Sequence, residues 1–159
     1  MIRPTDPADT PFLLALTEQT GVFRPMEIQA LREVLDDYHD HNRAAGHRCV
    51  THASGDRIAG FAYYAPAAMT VHTWYLYWIA IQRDHQAQGI GSELLRFVEA
   101  DIRIHQPAAV LLIETSSMPS YDLTRGFYKK HGYEIEAVLR DYYAPGDDMI
   151  VFRKSLDRA

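Results

Sequence analysis

Two glycines one residue apart stand where a long apolar segment meets a helical pattern. Gly89 and Gly91 lie in QAQGIGSELL, which follows the apolar run VHTWYLYWIAI. Glycine in a helix costs roughly 0.5–1 kcal/mol relative to alanine. The start of a helix, however, offers unpaired N–H groups and a positive dipole end, which together bind anions such as phosphate. Glycines here would bring a pyrophosphate close to the amides, and Gln86 and Gln88 would add neutral donors.

The commoner phosphate-binding motifs do not fit this stretch. A P-loop needs a lysine and a serine or threonine after its second glycine, whereas Ser92 and Glu93 follow Gly91 here. A dinucleotide-binding fingerprint needs a third glycine or an alanine at the position of Leu94. The stretch therefore indicates a phosphate site of another kind.

The elements around this junction follow from hydrophobic periodicity and from turn residues. The central run Val71–Ile81 is apolar on both faces, which is typical of a covered strand. Strict alternation would place Tyr75, Tyr77, Ile79 and Ile81 on one face. The pattern predicts a weak strand at Met1–Arg3, helices after Asp6 or Asp9 and from Pro25 to Ala45-Gly46, strands Arg48–Ala53, Arg57–Ala65 and Val71–Ile81, a helix to about His105, a strand Ala109–Glu114, a helix Asp122–His131, and a hairpin of Tyr133–Tyr142 and Met149–Lys154.

Two motifs in this order resemble those of the GNAT family of N-acetyltransferases. Gln86, Gly89 and Gly91 match the family's acyl-CoA-binding signature, and FYKKHGY at 127–133 is similar to its later FY-x-x-x-GF/Y segment. The resemblance covers most of the chain. It implies one domain, residues 1–159, with a GNAT-like α/β (α+β) fold in which helices flank a mixed, mostly antiparallel twisted sheet.

The resemblance also implies where acetyl-CoA binds. In the family the central strand and the next strand splay apart to admit the pantetheine arm. A backbone N–H near Ile81 would stabilise the oxyanion that forms when an amine attacks the thioester. The expected CoA-binding residues are Ile79, Ala80, Ile81, Gln86, Ala87, Gln88, Gly89, Ile90, Gly91 and Ser92.

Two side chains are the candidates for proton transfer. Tyr128 matches the tyrosine that lies near the CoA sulfur in the family, and a phenol there is a candidate general acid. Several family members carry a glutamate as general base on the central strand, but Tyr75 occupies that position and would line the acceptor pocket instead. Glu114, at the end of the neighbouring strand, is the alternative base; water is another.

Composition restricts the remaining possibilities. The formal net charge of -5 does not favour nucleic-acid binding, and no apolar run reaches the length that a membrane span needs. Cys49 is the only cysteine, so we expect a reduced, cytoplasmic protein without an internal disulfide. The histidine spacings predict no metal site. The run from Asp36 to Asp40 is either a solvated helix face or an acidic surface that attracts a cationic acceptor. The exposed edges of the closing hairpin are compatible with a homodimer.

The leading hypothesis is thus an acetyl-CoA-dependent N-acetyltransferase that acetylates a primary amine of a small molecule or peptide by direct attack. Two alternatives stay open. In the first alternative, the enzyme uses another acyl-CoA, because a signature that binds the pyrophosphate does not distinguish one acyl group from another. Alternatively, the chain is a non-catalytic CoA-binding regulatory domain, which the missing strand glutamate permits.

Overall fold

A seven-stranded sheet with helices on both faces forms the protein, and the structure, a computed structural model, describes residues 1–157. The strands lie in the order β1-β2-β3-β4-β5-β7-β6. The elements are β1 (Ile2–Pro4), α1 (Thr10–Gln19), α2 (Pro25–Asp37), β2 (Arg48–Ser54), β3 (Arg57–Pro66), β4 (Thr73–Ile81), α3 (Ile90–His105), β5 (Val110–Ser116), α4 (Asp122–Lys130), β6 (Glu134–Ala144) and β7 (Asp147–Ser155).

Within residues 1–157, only one neighbouring pair of strands, β4 and β5, is parallel. The other five pairs are antiparallel. Parallel neighbours need a crossover connection, and α3 supplies it. The sheet is therefore mixed and mostly antiparallel, as the sequence predicts.

Two hydrophobic cores cover the two faces of this sheet. The larger core packs α3 and α4 against one face and contains Leu94, Leu95, Val98, Leu111 and Tyr128. The smaller core packs α1 and α2 against the other face; its members include Leu13, Leu31, Leu35, Phe61 and Tyr63. The two faces of the sheet are named the α3/α4 face and the α1/α2 face after the helices that cover them. None of the helices within residues 1–157 is long and apolar enough to cross a membrane.

The alternation predicted for the central strand is wrong in its second half. Tyr63 pairs with Trp78 but Tyr64 pairs with Leu76, so Tyr77 is an extra residue in β4. A β-bulge of this kind reverses which face the following side chains occupy. Ile79 and Ile81 consequently join the α3/α4 face, whereas Tyr77 lies with Tyr63 on the α1/α2 face.

The second helix also ends earlier than its periodicity suggests. α2 stops at Asp37, and a π-helical turn from Tyr38 to Asn42 follows before the chain enters β2. The first turn is fixed by Pro25 and by Glu27, whose carboxylate accepts a hydrogen bond from the Arg24 N–H. The π turn widens the helix end, and such turns are frequent at functional sites.

Candidate active site

A gap opens in the sheet where β4 and β5 diverge. The parallel pairing joins Thr73–Leu76 to Val110–Ile113 and extends no further along either strand. β4 nevertheless continues to Ile81 on its β3 side, and the bulge at Tyr77 begins where the pairing with β5 stops. The edge of β4 that faces β5 is therefore left with backbone groups available to a ligand.

The α3 N-terminus lies directly after this gap. The first helical hydrogen bond is donated by Glu93 to Gly89 at 3.0 Å. The N–H groups of Ile90, Gly91 and Ser92 precede it and have no carbonyl partner within the helix. This end of the helix has the donors and the dipole to bind a pyrophosphate.

The two glycines have different roles at this helix start. Gly89 caps α3 with a left-handed φ of +84. Any other residue there would be strained in this conformation, even though no atom lies within 4 Å of an added Cβ. Gly91 is different, because an added Cβ would meet Phe127 at 3.5 Å, an ordinary contact. The first glycine serves backbone geometry, and the second keeps the surface beside the helix start small.

Both glutamines of the loop are used to hold its shape. The Gln86 side chain donates to the Ile81 carbonyl and the Gln88 side chain to the Asp84 carbonyl, each at 3.2 Å. Each carboxamide has a second N–H beyond the one used in these bonds, and that N–H is the donor a phosphate would use. Ala87 also adopts a positive φ of 63, so this loop is bent at two points before α3 begins.

His131, a residue of the FYKKHGY segment for which we expect no more than a solvated or packing role, links α3 to the end of α4. The Ser92 hydroxyl and His131 Nε2 lie 2.9 Å apart. Burial, reinforced by the charges of Arg96, Lys130 and Lys154, lowers the pKa of His131. Lys154 is itself paired with the Glu99 carboxylate at 3.0 Å, so part of the positive charge near His131 is neutralised within the chain.

Tyr128 lies in the core beneath this junction. Its ring packs on Phe127, Tyr133 and Phe152, and only 3% of the residue is exposed. Burial raises the pKa of the Tyr128 phenol, which keeps the hydroxyl protonated and able to donate a hydrogen bond. Tyr128 belongs to the α3/α4 face.

Glu114 lies on the opposite face of the sheet from Tyr128. Leu111 and Ile113 of β5 point into the α3/α4 core, so alternation directs Glu114 to the α1/α2 face. Its side chain is solvent-exposed, yet partial desolvation by the surrounding protein raises the pKa of its carboxyl, and the Tyr75 hydroxyl opposes that shift. The structure thus places the two candidate proton-transfer groups on either side of one sheet.

Tethers between distant segments close the Glu114 side of the gap. Arg24 forms an ion pair with Asp147 at 3.1 Å and donates to the Tyr143 carbonyl at 3.4 Å. The Tyr121 hydroxyl donates to the Val22 carbonyl at 3.1 Å. The β6–β7 hairpin is thereby held against the α1–α2 connection, and the Glu114 carboxylate raises the pKa of nearby Tyr143 in addition to the effect of burial.

Comparison with known proteins decides the family. The model of the "Acetyltransferase (GNAT) domain" matches residues 45–135. The chain belongs to the GNAT family. This GNAT enzyme is an N-acetyltransferase, and such enzymes act on a CoA-type co-substrate and an acceptor. No curated protein matches the chain.

Solved structures agree with this assignment. A GNAT-family protein from Desulfovibrio desulfuricans is 36% identical, with a TM-score of 0.92 and 98% of each chain covered. The ribosomal-protein-S18-alanine N-acetyltransferase from Escherichia coli is 18% identical, with a TM-score of 0.77 over 100% of this GNAT chain and 95% of its own. An aminoglycoside 6'-N-acetyltransferase complexed with coenzyme A is 16% identical, with a TM-score of 0.78 over 100% and 98%. The last two likenesses concern the fold alone.

Proposed function

We propose that this GNAT enzyme transfers the acetyl group of acetyl-CoA to a primary amine of a small molecule or peptide by direct attack on the thioester. The observation that carries the proposal is Glu114, a carboxylate with a raised pKa that faces the divergence of β4 and β5. A base is most effective when its pKa approaches the working pH. Partial desolvation of the Glu114 carboxyl moves its pKa in that direction.

Each partner approaches the gap from its own face of the sheet. The pyrophosphate binds at the α3 N-terminus around Gly89, Ile90, Gly91 and Ser92, and the pantetheine arm enters between β4 and β5. The amine comes from the α1/α2 face, where Glu114 and the tyrosines lie. Both reactants are then held in line with the reacting bond, which lowers the entropic part of the barrier.

The proposed chemistry conserves protons. Glu114 accepts one proton from the ammonium, and the free amine forms the N–C bond. A backbone N–H in the segment from Ile79 to Ile81 stabilises the oxyanion. The C–S bond then breaks while Tyr128 donates a hydrogen bond to the sulfur. After the attack, nitrogen loses its second proton to solvent water, the thiolate takes a proton from solvent to become CoA thiol, and Glu114 returns its own proton to solvent.

The acetyl group is favoured over a charged acyl group for an electrostatic reason. A succinyl carboxylate in the gap would approach the Glu114 carboxylate, and like charges at short range repel.

Release of CoA thiol from acetyl-, propionyl- and succinyl-CoA, measured over a panel of primary amines and peptides, tests the proposal. We expect amine-dependent release with acetyl-CoA. If CoA binds and no amine increases thiol release, the proposed transfer is wrong.

A further inference from the structure

Three tyrosine rings form a row that begins at Glu114 and runs along the α1/α2 face. The rings of Tyr75 and Tyr77 are stacked with centroids 5.3 Å apart. The ring of Tyr77 meets Tyr63 edge-on at 6.3 Å. Tyr77 itself is 51% exposed, so its ring is available to an incoming molecule. Tyrosine rings attract cations and also pack against methylene groups.

A small cavity of about 150 Å³ lies at the far end of this row. Tyr63 and Tyr77 form one side of it, and Asp37, Asn42 and His47 form another. Asp37 is the last residue of α2, and Asn42 ends the π turn that follows. The early end of α2 is what brings these polar groups over the sheet.

The charges of this cavity favour a cation. Among the described residues that line it, none is a lysine or an arginine, and Asp37 is an acid. His47 Nδ1 and the Tyr63 hydroxyl lie 2.6 Å apart, and burial lowers the pKa of His47, so this imidazole stays neutral near pH 7. An ammonium group entering the cavity therefore meets a carboxylate, an amide oxygen and aromatic rings without a competing positive charge.

We infer that the acceptor is an unbranched diamine, with its reacting nitrogen at Glu114, its methylenes along Tyr75 and Tyr77, and its remote ammonium in the cavity beside Asp37. This inference rests on the proposed acetylation of amines and narrows it to one class of amine. Glu114 removes a proton from the ammonium group at one end of the diamine. The other end stays protonated and is recognised by its charge.

Four acceptors of equal chain length separate the contributions. Hexamethylenediamine has two ammonium groups, aminohexanol replaces one with a hydroxyl, hexylamine replaces it with a hydrogen, and 6-aminocaproate has a carboxylate in place of the terminal CH2–NH3+ unit. We expect kcat/KM to fall in that order. The diamine should exceed aminohexanol by about tenfold, because its remote charge gains a carboxylate and a ring contact. A difference no larger than the statistical advantage of two reactive ends overturns the inference.

The Asp37→Asn variant locates the effect, and Asp36→Asn is its matched control. Asp36 is an exposed neighbour that does not line the cavity. We expect the ratio of kcat/KM for the diamine over aminohexanol to fall about fivefold in Asp37→Asn and to stay at the wild-type value in Asp36→Asn. Equal ratios in the two variants contradict the role of Asp37.

Calorimetric binding to the CoA-loaded enzyme keeps this inference distinct from the proposed function. If no amine is acetylated, the proposed function fails. Tighter binding of hexamethylenediamine than of hexylamine, lost in Asp37→Asn, would still support the diamine site. Equal binding of the two amines would overturn it. If all amines are acetylated with equal kcat/KM, acetylation stands and the preference for diamines is wrong.

Discussion

The two faces of the sheet differ in how the chain builds them. The side that we propose binds CoA is made from one nearly continuous stretch, Ile79 to Ser92, that runs from the end of β4 into α3. The proposed acceptor side is made from segments far apart in sequence, with Asp37, Tyr63, Glu114 and Tyr143 as examples. The family match at residues 45–135 contains the whole stretch from Ile79 to Ser92 but leaves out α1, α2 and nearly all of the closing hairpin.

This difference indicates that the donor and the acceptor are recognised by different kinds of interaction. A helix start binds a pyrophosphate through backbone N–H groups, so the site needs a backbone shape and little side-chain chemistry. The acceptor region depends on side chains, and tertiary tethers such as the Arg24–Asp147 ion pair hold them. Changes in one region should therefore leave binding to the other region intact.

The largest expected effect disables the donor region alone. In Gly89→Glu the new residue is forced into a left-handed conformation, and its carboxylate occupies the anion site at the helix start. We expect CoA affinity to fall roughly 1,000-fold, because like charge and lost N–H contacts add to the strain. Isothermal titration calorimetry with CoA measures the change.

Gly55→Glu is the control for backbone strain. Gly55 lies in the turn between β2 and β3, has φ +61, and likewise has no atom within 4 Å of an added Cβ. Both substitutions should destabilise the fold by about 1 kcal/mol, and Gly55→Glu should bind CoA normally. Similar CoA affinities in the two variants would show that the helix start is not the pyrophosphate site.

The same difference explains what the sequence predicts. Gly89, Gly91 and the helix after them are local in the chain, so spacing and periodicity indicate both the helix and its anion site. Most of the strands likewise follow from short apolar runs, whereas Glu134–Ala144 is largely exposed and is identified only as one half of the closing hairpin. The bulge at Tyr77 does not, because VHTWYLYWIAI is apolar on both faces and its alternation carries no sign of an extra residue. Asp37 and His47 approach Tyr63 only through tertiary packing and the π turn, which no spacing reports.

The second prediction tests the acceptor region through its pH dependence. Glu114 must be ionised to accept a proton, and its pKa is raised above the ordinary 4.5. The acidic limb of kcat/KM should therefore lie above that value, with activity lost as the pH falls through the raised pKa. Glu114→Gln should remove this limb and lower kcat about 100-fold, while CoA affinity stays unchanged.

Tyr75→Phe sharpens this prediction. The Tyr75 hydroxyl lowers the pKa of Glu114, so its removal should raise that pKa further. The acidic limb should then move to higher pH in Tyr75→Phe, whereas a general loss of structure would scale the whole profile without moving the limb. If Glu114→Gln keeps the wild-type limb, the base is another group or water.

The smallest expected effect lies at Tyr128, where we propose that the pantetheine arm reaches the reacting bond. Tyr128→Phe removes a hydroxyl whose burial raises its pKa and keeps it protonated. That phenol is a weaker acid than a thiol, so a hydrogen bond to the departing sulfur, rather than full proton transfer, is its expected contribution. The loss of one such bond should lower kcat about tenfold and leave CoA affinity unchanged.

Tyr133→Phe separates this contribution from packing. The two rings lie 6.0 Å apart in one core, but the Tyr133 hydroxyl donates to Glu99 at 2.7 Å, in a cluster that Lys154 completes. Removing it should lower the melting temperature and leave kcat near the wild-type value, because this bond ties α3 to the sheet away from the gap. Tyr128→Phe should give the reverse: lower kcat at nearly unchanged melting temperature. A parallel fall of kcat and melting temperature in both variants would reduce Tyr128 to a core aromatic.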